Sequence, residues 1–189
     1  MKTIEVEIKG NSLMMHNPKS MLEQQPSTRG TTVQADYTKE AEKSAYRTSK
    51  GILYIPSQAL FSSMLNGASF KKVGKYSAVS FLAGNCRIEP DEVAILDGKG
   101  KPITKYEIDL RTVVIQSGKK RNRIVRARPM IRDWSARFNL IYNEQFIGDP
   151  DVIKSCLKDA GSRVGLLEYR PQTRGSYGTF EVTKFKVVG

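Results

Sequence analysis

Histidine, cysteine and long apolar runs are all scarce in this sequence of 189 residues. The only histidine is His16, so a metal site built from several histidines is excluded. The two cysteines, Cys86 and Cys156, lie far apart and outside any CxxC pair, which predicts reduced thiols, a cytoplasmic location and no zinc site. No apolar run approaches the roughly 20 residues of a membrane-spanning helix. The N-terminus alternates polar and apolar residues, so we expect no signal peptide.

Recognisable catalytic motifs are absent as well. The chain has no GxxxxGK(S/T) phosphate-binding loop, no Ser/His/Asp set at a familiar spacing and no aromatic motif of the RNA-recognition type. We therefore expect neither a cofactor nor a metal. His16 is the one candidate for catalysis, as general base in a metal-independent cleavage of RNA, where a 2′-hydroxyl must lose its proton. The same residue equally suits stacking, hydrogen bonding or a purely structural role.

Positive charge is what the sequence has in excess. Lys and Arg number 31 against 19 Asp and Glu, which gives a net charge of +12. Such an excess on a small protein favours a polyanionic partner, because each neutralised phosphate releases condensed counterions. The hydrophobic content of 39% is that of a folded protein, and the length fits a single domain over residues 1–189.

Periodicity predicts the first half of the secondary structure. "TIEVEIK" (3–9) alternates as a half-buried strand does, and a helix is predicted to begin at Pro56 and Ser57. The polar stretch 23–50 between them predicts a mobile insertion, helical around "YTKEAEKSAY". "LDGKGKPI" (96–103) has the composition of a hairpin turn, and "YEIDLRTVVIQ" after it predicts a strand.

A second helix and a closing strand are predicted near the C-terminus. In "GDPDVIKSCLKDAG" Asp149 is the expected N-cap, Pro150 the first helical residue and Gly161 the residue just past the end. Cys156 falls on the apolar stripe of this helix, which predicts a buried small hydrophobe. "TFEVTKFKV" (179–187) then predicts the last strand.

Residues 123–142 predict two adjoining strand segments with one basic face. In "RIVRARPMIRD" the odd positions are apolar and the even ones include arginines, and in "WSARFNLIY" the even positions are apolar. Alternation of this kind is typical of an antiparallel sheet that is covered by helices on one side and open on the other. Pro129 has no N–H to donate, so its strand is predicted to lie at an edge or to carry a bulge.

The order of the elements predicts the fold class. A strand, a helix, a group of strands, a helix and a final strand make the α+β, ferredoxin-like βαββαβ arrangement once the insertion is set aside. This fold places two helices on one face of an antiparallel sheet and leaves the other face open, as the alternation at 123–142 requires.

The basic segment is the strongest functional signal. Residues 119–137 contain eight basic residues and one acid, Asp133, whereas solvated charged faces normally mix both signs. An arginine-rich excess of this kind fits contacts to phosphate, and it predicts a nucleic-acid-binding face. The predicted contact residues are Lys119, Lys120, Arg121, Arg123, Arg126, Arg128, Arg132 and Arg137. Lys71, Lys72 and Lys75 after the first helix are a weaker extension of the same patch.

A short loop before the last strand, "RPQTRGSYGTFEV" (170–182), has two interpretations. Gly175 and Gly178 either form an ordinary surface turn or let the backbone approach a phosphate closely. In the second interpretation Arg170, Arg174 and Tyr177 border the nucleic acid, while Phe180 and Val182 anchor the loop from the core.

Four segments of the chain resemble the RAMP superfamily. They are "IEVEIKGNSLMMHN", "GILYIPSQALFSSML", "RARPMIRDWSARFNL" and "AGSRVGLLEYRPQTRGSYGTFEV". The members most similar to this sequence are backbone subunits of CRISPR effector complexes and small stand-alone relatives encoded by phages. The resemblance implies that the glycine-rich loop lies beside RNA and that "MHNPKSM" lies near the binding groove. It also implies assembly as a homo-oligomer along a strand or as a subunit of a ribonucleoprotein complex, in a prokaryotic cell or a phage.

The sequence therefore predicts a non-enzymatic protein that binds single-stranded nucleic acid, RNA rather than DNA, and no membrane. Such proteins follow the phosphate backbone electrostatically and accept many base sequences. One alternative is a RAMP-type, metal-independent endoribonuclease with His16 as general base. Another alternative is a phage protein whose basic face binds an acidic protein partner.

Overall fold

The computed structural model describes residues 1–19, 36–117 and 120–188. Strands and helices of these residues are numbered in chain order. The strands are β1 (Lys2–Met14), β2 (Tyr54–Pro56), β3 (Lys72–Val73), β4 (Tyr76–Ser77), β5 (Cys86–Glu89), β6 (Glu92–Leu96), β7 (Glu107–Ser117), β8 (Lys120–Tyr142) and β9 (Glu181–Val188). The helices are α1 (Tyr37–Ser44), α2 (Ser57–Ala68), α3 (Ala78–Ala83) and α4 (Asp151–Asp159).

Strand β8 is the centre of the main sheet. On one side it pairs with β1, and β9 pairs with the far edge of β1. On its other side β8 pairs in turn with β5, β6 and β7, and β2 lies beyond β6. All of these pairs are antiparallel. The order β6–β8–β1–β9, with α2 and α4 as crossovers, is that of a ferredoxin-like βαββαβ fold, so the predicted fold class is confirmed.

The core lies between the sheet and helices α2 and α4. Alternate residues of β1 and of the C-terminal half of β8 point towards these helices, and their side chains are buried. The buried strand residues are Ile4, Val6, Ile8, Trp134, Ala136, Phe138, Leu140 and Tyr142. The helices contribute Leu60 and Met64 from α2 and Ile153, Cys156 and Leu157 from α4. Two helices on one face and alternation at 134–142 are thus as predicted, as is the burial of Cys156.

The predicted start of the first helix is confirmed, whereas the second helix begins one residue later than predicted, at Asp151 with Pro150 as its N-cap, and its predicted end is also wrong. Helix α2 begins at Ser57, directly after Pro56. The Asp149 carboxylate accepts a hydrogen bond from the Asp151 N–H at 2.9 Å, at the start of α4. A π-helical turn, Ala160–Val164, continues α4, and Gly161 is buried inside it. A Cβ at Gly161 would overlap the Phe180 carbonyl, so this glycine serves close packing and does not end the helix.

The insertion and the predicted turn are partly visible. Helix α1 lies inside the predicted insertion 23–50 and covers residues 37–44 of the segment expected to be helical, so that prediction is confirmed. Residues 20–35 lie outside the described residues, so the predicted mobility there stays a prediction. Residues 97–101 form the expected hairpin turn, with the Asp97 N–H donating to the Lys101 carbonyl at 2.8 Å. No helix of the described residues is long and apolar enough to cross a membrane.

Pro129 lies where β8 passes from the centre of the sheet into a two-stranded ribbon, so the predicted edge position is confirmed for this residue, although β8 is the central strand farther along. Pro129 stands opposite Ile108 of β7, one residue beyond the last pair between β1 and β8, Met14 with Met130. Its carbonyl accepts a hydrogen bond from the Met15 N–H at 3.0 Å. Proline is tolerated here because the β1 ladder has already ended.

Beyond Pro129 the hairpin of β7 and β8 leaves the sheet as a two-stranded ribbon, residues 108–117 and 120–129. Opposite residues of an antiparallel pair share a face, so the pairing separates the ribbon's side chains into two sets. The arginine face carries Arg111, Arg126 and Arg128. The apolar face carries Ile108, Leu110, Val114 and Val125, which are 41%, 54%, 60% and 42% exposed. The register also places Arg121 and Arg123, near the tip of the ribbon, on this second face.

Candidate nucleic-acid interface

A groove of about 530 Å³ lies where the end of β1, helix α2 and the chain after α4 meet. Helix α2 presents one side to it, because Ala59, Ser62, Ser63 and Asn66 recur at helical spacing. The Ser63 hydroxyl donates to the Gly165 carbonyl at 2.8 Å and fixes the opposite wall to the helix. The remaining lining residues are His16, Tyr46, Val164, Gly165, Leu167, Glu168, Tyr169, Arg170, Gln172 and Thr173.

His16 lies in this groove, two residues after β1 ends. Its Nδ1 is 3.3 Å from Oε2 of Glu168, and the Tyr46 hydroxyl donates to the His16 carbonyl at 3.3 Å. Burial lowers the pKa of His16 below its ordinary value of 6.5, and the nearby Arg128 lowers it further, while the Glu168 carboxylate acts in the opposite direction. His16 is therefore a neutral imidazole at neutral pH, held by a carboxylate at one nitrogen.

The ribbon arginines nearest the groove are ion-paired. Nε of Arg128 lies 3.0 Å from Oε2 of Glu168, and its Nη1 lies 3.4 Å from Oε1 of Glu40 in helix α1. Nη1 of Arg126 lies 3.2 Å from the same Glu40 oxygen. Arg128 is only 9% exposed, whereas the sequence predicted an open basic face and a buried Val125. That expectation is wrong for Arg128 and Val125, because helix α1 covers the arginine face with a carboxylate.

The glycine-rich loop packs on the protein's own backbone. The Gly175 N–H donates to the Arg170 carbonyl at 3.0 Å, and the Gly178 N–H donates to the Ser12 carbonyl at 2.8 Å. Gly178 has a φ of +71°, and a Cβ there would overlap the Leu166 carbonyl oxygen. Both N–H groups already have acceptors within the protein, so the close approach of these two glycines is to the protein's own backbone and not to a phosphate. The predicted anchors are confirmed: Phe180 is buried, and Val182 packs against the core.

Arg111 joins the loop to the ribbon. Its guanidinium donates to the Asp109 carboxylate and to the Tyr177 hydroxyl. It also lies over two aromatic rings, 4.7 Å from the centroid of Tyr177 and 5.1 Å from that of Tyr169. The loop is therefore on the same side of the molecule as Arg126, as predicted.

Sequence reasoning missed several residues of this cluster: Glu40, Asp109, Arg111, Glu168 and Tyr169. Asp109 and Arg111 carried a usable signal, since they are opposite charges two residues apart on the polar side of a predicted strand. Glu40 and Glu168 carried none, because their partners are 86 and 40 residues away in the sequence.

The other predicted contact residues are dispersed. The side chains of Arg121 and Arg123 on the ribbon and of Arg174 in the loop are exposed and make no hydrogen bond or ion pair with another described residue. Lys119 and the side chain of Lys120 lie outside the described residues. Arg170 donates to the Leu167 carbonyl at 2.7 Å. The exposed Arg132 pairs with Glu107, and Lys71 pairs with Asp159; Lys72 and Lys75 are exposed near β3 and β4.

The open face of the sheet is charge-balanced. Nε of Arg137 lies 2.9 Å from Oε2 of Glu7, and Nζ of Lys184 lies 2.7 Å from Oε2 of Glu5. The prediction of a basic sheet face is therefore wrong, because acidic side chains of β1 form ion pairs with basic side chains of β8 and β9. Within the described ranges, the arginines whose side chains have no acidic partner include Arg121 and Arg123 on the ribbon and Arg174 in the loop.

Comparison with known proteins supports the fold and not a family. No protein-family model and no curated protein matches this sequence. Among solved structures, the chain is similar to a chain in the cryo-EM structure of the Type III-B Cmr-beta bound to cognate target RNA, with a TM-score of 0.55 and 14% sequence identity. The similarity covers 99% of this chain and 60% of that one, so this protein spans less than two thirds of that chain's length.

Proposed function

We propose that this protein binds single-stranded nucleic acid, RNA in preference to DNA, along the groove, the glycine-rich loop and the arginine-bearing ribbon. The observation that carries the proposal is the junction at Arg111, which holds the loop and the ribbon together beside the groove. Two regions that are 66 residues apart in the sequence thereby form one surface. The net charge of +12 provides the general attraction to a polyanion.

The chemistry of this surface suits a single strand. The side chains of Arg174 in the loop and of Arg121 and Arg123 near the tip of the ribbon have no acidic partner among the described residues, so their guanidinium groups are available to phosphates. Because Arg121 and Arg123 lie on the face of the ribbon opposite Arg111, a strand that reaches them passes around the ribbon tip. Tyr169 and Tyr177 supply rings at the junction, and base–ring stacking is tolerant of base sequence. The groove itself is open to an unpaired nucleotide, whereas a duplex is too wide to enter a space of about 530 Å³.

The fold similarity supports RNA as the ligand. The similar solved chain belongs to a complex that is bound to target RNA. By the same reasoning we propose assembly with further copies of this chain, or with other subunits, on the strand. No enzymatic activity is part of this proposal.

A binding titration tests it. Fluorescence anisotropy with labelled single-stranded RNA, single-stranded DNA and duplex is expected to rank the three in that order. The R121A/R123A variant is expected to lower the slope of log K against log salt by roughly 0.7 for each phosphate that these arginines neutralise in the wild type. The matched control is K99A/K101A, which removes two exposed charges from a turn outside the groove and the ribbon. Equal salt slopes for the two variants would contradict the proposal.

A second candidate function rests on His16. A neutral imidazole in a groove, held by the Glu168 carboxylate, has the arrangement of a general base, and RNA offers a 2′-hydroxyl to deprotonate. This candidate predicts metal-independent cleavage of RNA, but not of DNA, that disappears in His16→Ala. Binding without cleavage by the wild-type protein, with affinity retained in His16→Ala, would leave the non-enzymatic function.

A further inference from the structure

The chain contains a long stretch without any acidic residue. No Asp or Glu occurs from residue 43 to residue 88, while seven Lys or Arg do. This stretch includes helix α2, which lines the groove, and the hairpin of β3 and β4 that follows it. Its positive charge can be neutralised only by acids from elsewhere in the fold.

Two aromatic rings stand exposed at this hairpin. Phe70 follows the end of α2 and is 51% exposed, and Tyr76 in β4 is 69% exposed. Both are held in position. The Phe70 ring lies 4.9 Å from the guanidinium carbon of Arg163, and the Tyr76 ring packs at 6.3 Å and 60° against that of Phe81. Exposed rings with fixed orientation can stack with little loss of conformational entropy.

The cations around the rings differ in their pairing. The Asp159 carboxylate is ion-paired with both Lys71 and Arg163: its Oδ2 lies 3.0 Å from Nζ of Lys71, and its Oδ1 lies 3.5 Å from Nε of Arg163. The side chains of Lys72 and Lys75 are exposed and have no hydrogen bond or ion pair in the described part of the chain. Two available ammonium groups thus lie between the two rings in the sequence of this hairpin.

The Phe70 ring lies at one end of the groove. Asn66 lines the groove, and Phe70 follows it by about one helical turn. On the opposite wall Val164 lines the groove, and its neighbour Arg163 contacts the Phe70 ring. A strand that lies in the groove therefore passes over Phe70 when it leaves at this end.

We propose that Phe70 and Tyr76 form a stacking platform for unpaired bases of the strand that leaves the groove, with Lys72 and Lys75 on its phosphates. This inference rests on the proposed function and adds a second contact region to it. Aromatic rings between unpaired cations are the composition of single-strand binding surfaces. A protein partner would instead bury a contiguous apolar patch, and here Lys, Ser and Gly separate the rings.

The test compares strands with and without bases. Affinities are measured by anisotropy for a labelled single-stranded RNA and for one of equal length in which abasic sites replace the bases at the end that leaves the groove. F70A/Y76A is expected to bind the intact RNA roughly tenfold or more weakly than wild type, and to show no preference for it over the abasic strand. F70Y/Y76F keeps both rings and is expected to retain wild-type affinity.

Two controls separate the outcomes. F146A removes a ring that is 63% exposed elsewhere on the surface and is expected to change nothing. If wild type binds the intact RNA but F70A/Y76A binds it as well as F146A does, the platform is refuted and the proposed function stands. If wild type binds no single strand at all, the proposed function fails first. The wild-type protein could instead bind vesicles of anionic lipid more strongly than RNA. If F70A/Y76A abolished the binding to vesicles while RNA binding persisted, the two rings would be a membrane-binding surface and the stacking platform would be refuted.

Discussion

The two halves of β8 carry the same sequence pattern but differ in burial, although Ala127 in the ribbon half is buried as expected. In the sheet half, residues 134–142, the apolar side chains of the alternation are buried and the polar ones are exposed. In the ribbon half, Val125 is 42% exposed while Arg128 is 9% exposed. Asp133, with a φ of +45°, lies between the halves. Alternation identifies both halves as strand, but it does not state which face is covered.

Which face of a strand is buried depends on the helix or loop that packs against it. Helices α2 and α4 pack apolar side chains on the sheet half, whereas α1 and the chain after α4 bring Glu40 and Glu168 to the ribbon half. The Glu40 carboxylate forms ion pairs with both Arg126 and Arg128. These pairs allow the two arginines to be partly buried, since a buried charge without a partner is strongly unfavourable. The consequence for function is that only the outer part of the ribbon, at Arg121 and Arg123, offers unpaired arginines.

The largest effect is expected from the sheet half. Phe138→Ala removes a buried ring and is expected to lower the free energy of unfolding by about 3–5 kcal/mol. Val125→Ala, in the ribbon half, is expected to change it by no more than about 0.5 kcal/mol, because this side chain is exposed. Urea denaturation of both variants checks the contrast. Equal decreases in the two variants would show that the apolar face of the ribbon is covered.

The glycine-rich loop is expected to behave as a packed element. Gly178→Ala introduces a Cβ that overlaps the Leu166 carbonyl at a left-handed φ, so the free energy of unfolding is expected to fall by about 2–3 kcal/mol. Gly98→Ala is the control, because a Cβ there meets no atom within 4 Å. The same denaturation measurement applies. A Gly178→Ala protein of wild-type stability that no longer binds RNA would restore the interpretation in which this glycine approaches phosphate.

The sequence could predict most elements of the fold, but only part of the candidate binding site. Periodicity and helix-start residues were sufficient for β1, α2, α4 and β9, because burial in those elements follows from their own side chains. The ribbon was predicted as a strand with the wrong exposed face, since its cover comes from Glu40, 86 residues before Arg126. The sequence leaves two interpretations of Gly175 and Gly178 open, because their close contacts are with backbone carbonyls, which no sequence pattern marks.

An intermediate decrease in stability is expected when Glu40 of helix α1, which pairs with Arg126 on the arginine face of the ribbon, loses its charge. Glu40→Gln leaves Arg126 without a carboxylate, and the free energy of unfolding is expected to fall by about 1–2 kcal/mol. The affinity for single-stranded RNA is expected to rise, because Arg126 becomes available to phosphate. Glu107→Gln is the matched control, as its exposed pair with Arg132 contributes little. Reduced affinity in Glu40→Gln would show that α1 supports the binding surface and does not compete with it.

The smallest effect is expected from His16. Its lowered pKa means that the folded state holds fewer protons than the unfolded state just below pH 6.5. The free energy of unfolding should therefore fall as the pH is lowered through 6.5 and towards the pKa of the folded state. His16→Gln removes the only histidine and is expected to flatten this dependence in denaturation series between about pH 5 and pH 7.5. An unchanged dependence in the variant would assign it to carboxylates.

The most direct test of the account is where a bound strand lies on the two halves of β8. RNA that contains 4-thiouridine can be crosslinked to the protein by light, and the crosslinked peptides can be identified by mass spectrometry. We expect crosslinks in the ribbon, in the loop of residues 163–178 and around residues 70–76. Crosslinks confined to the open sheet face, on β9 and residues 135–141 of β8, would contradict the central claim that the strand follows the groove and the ribbon.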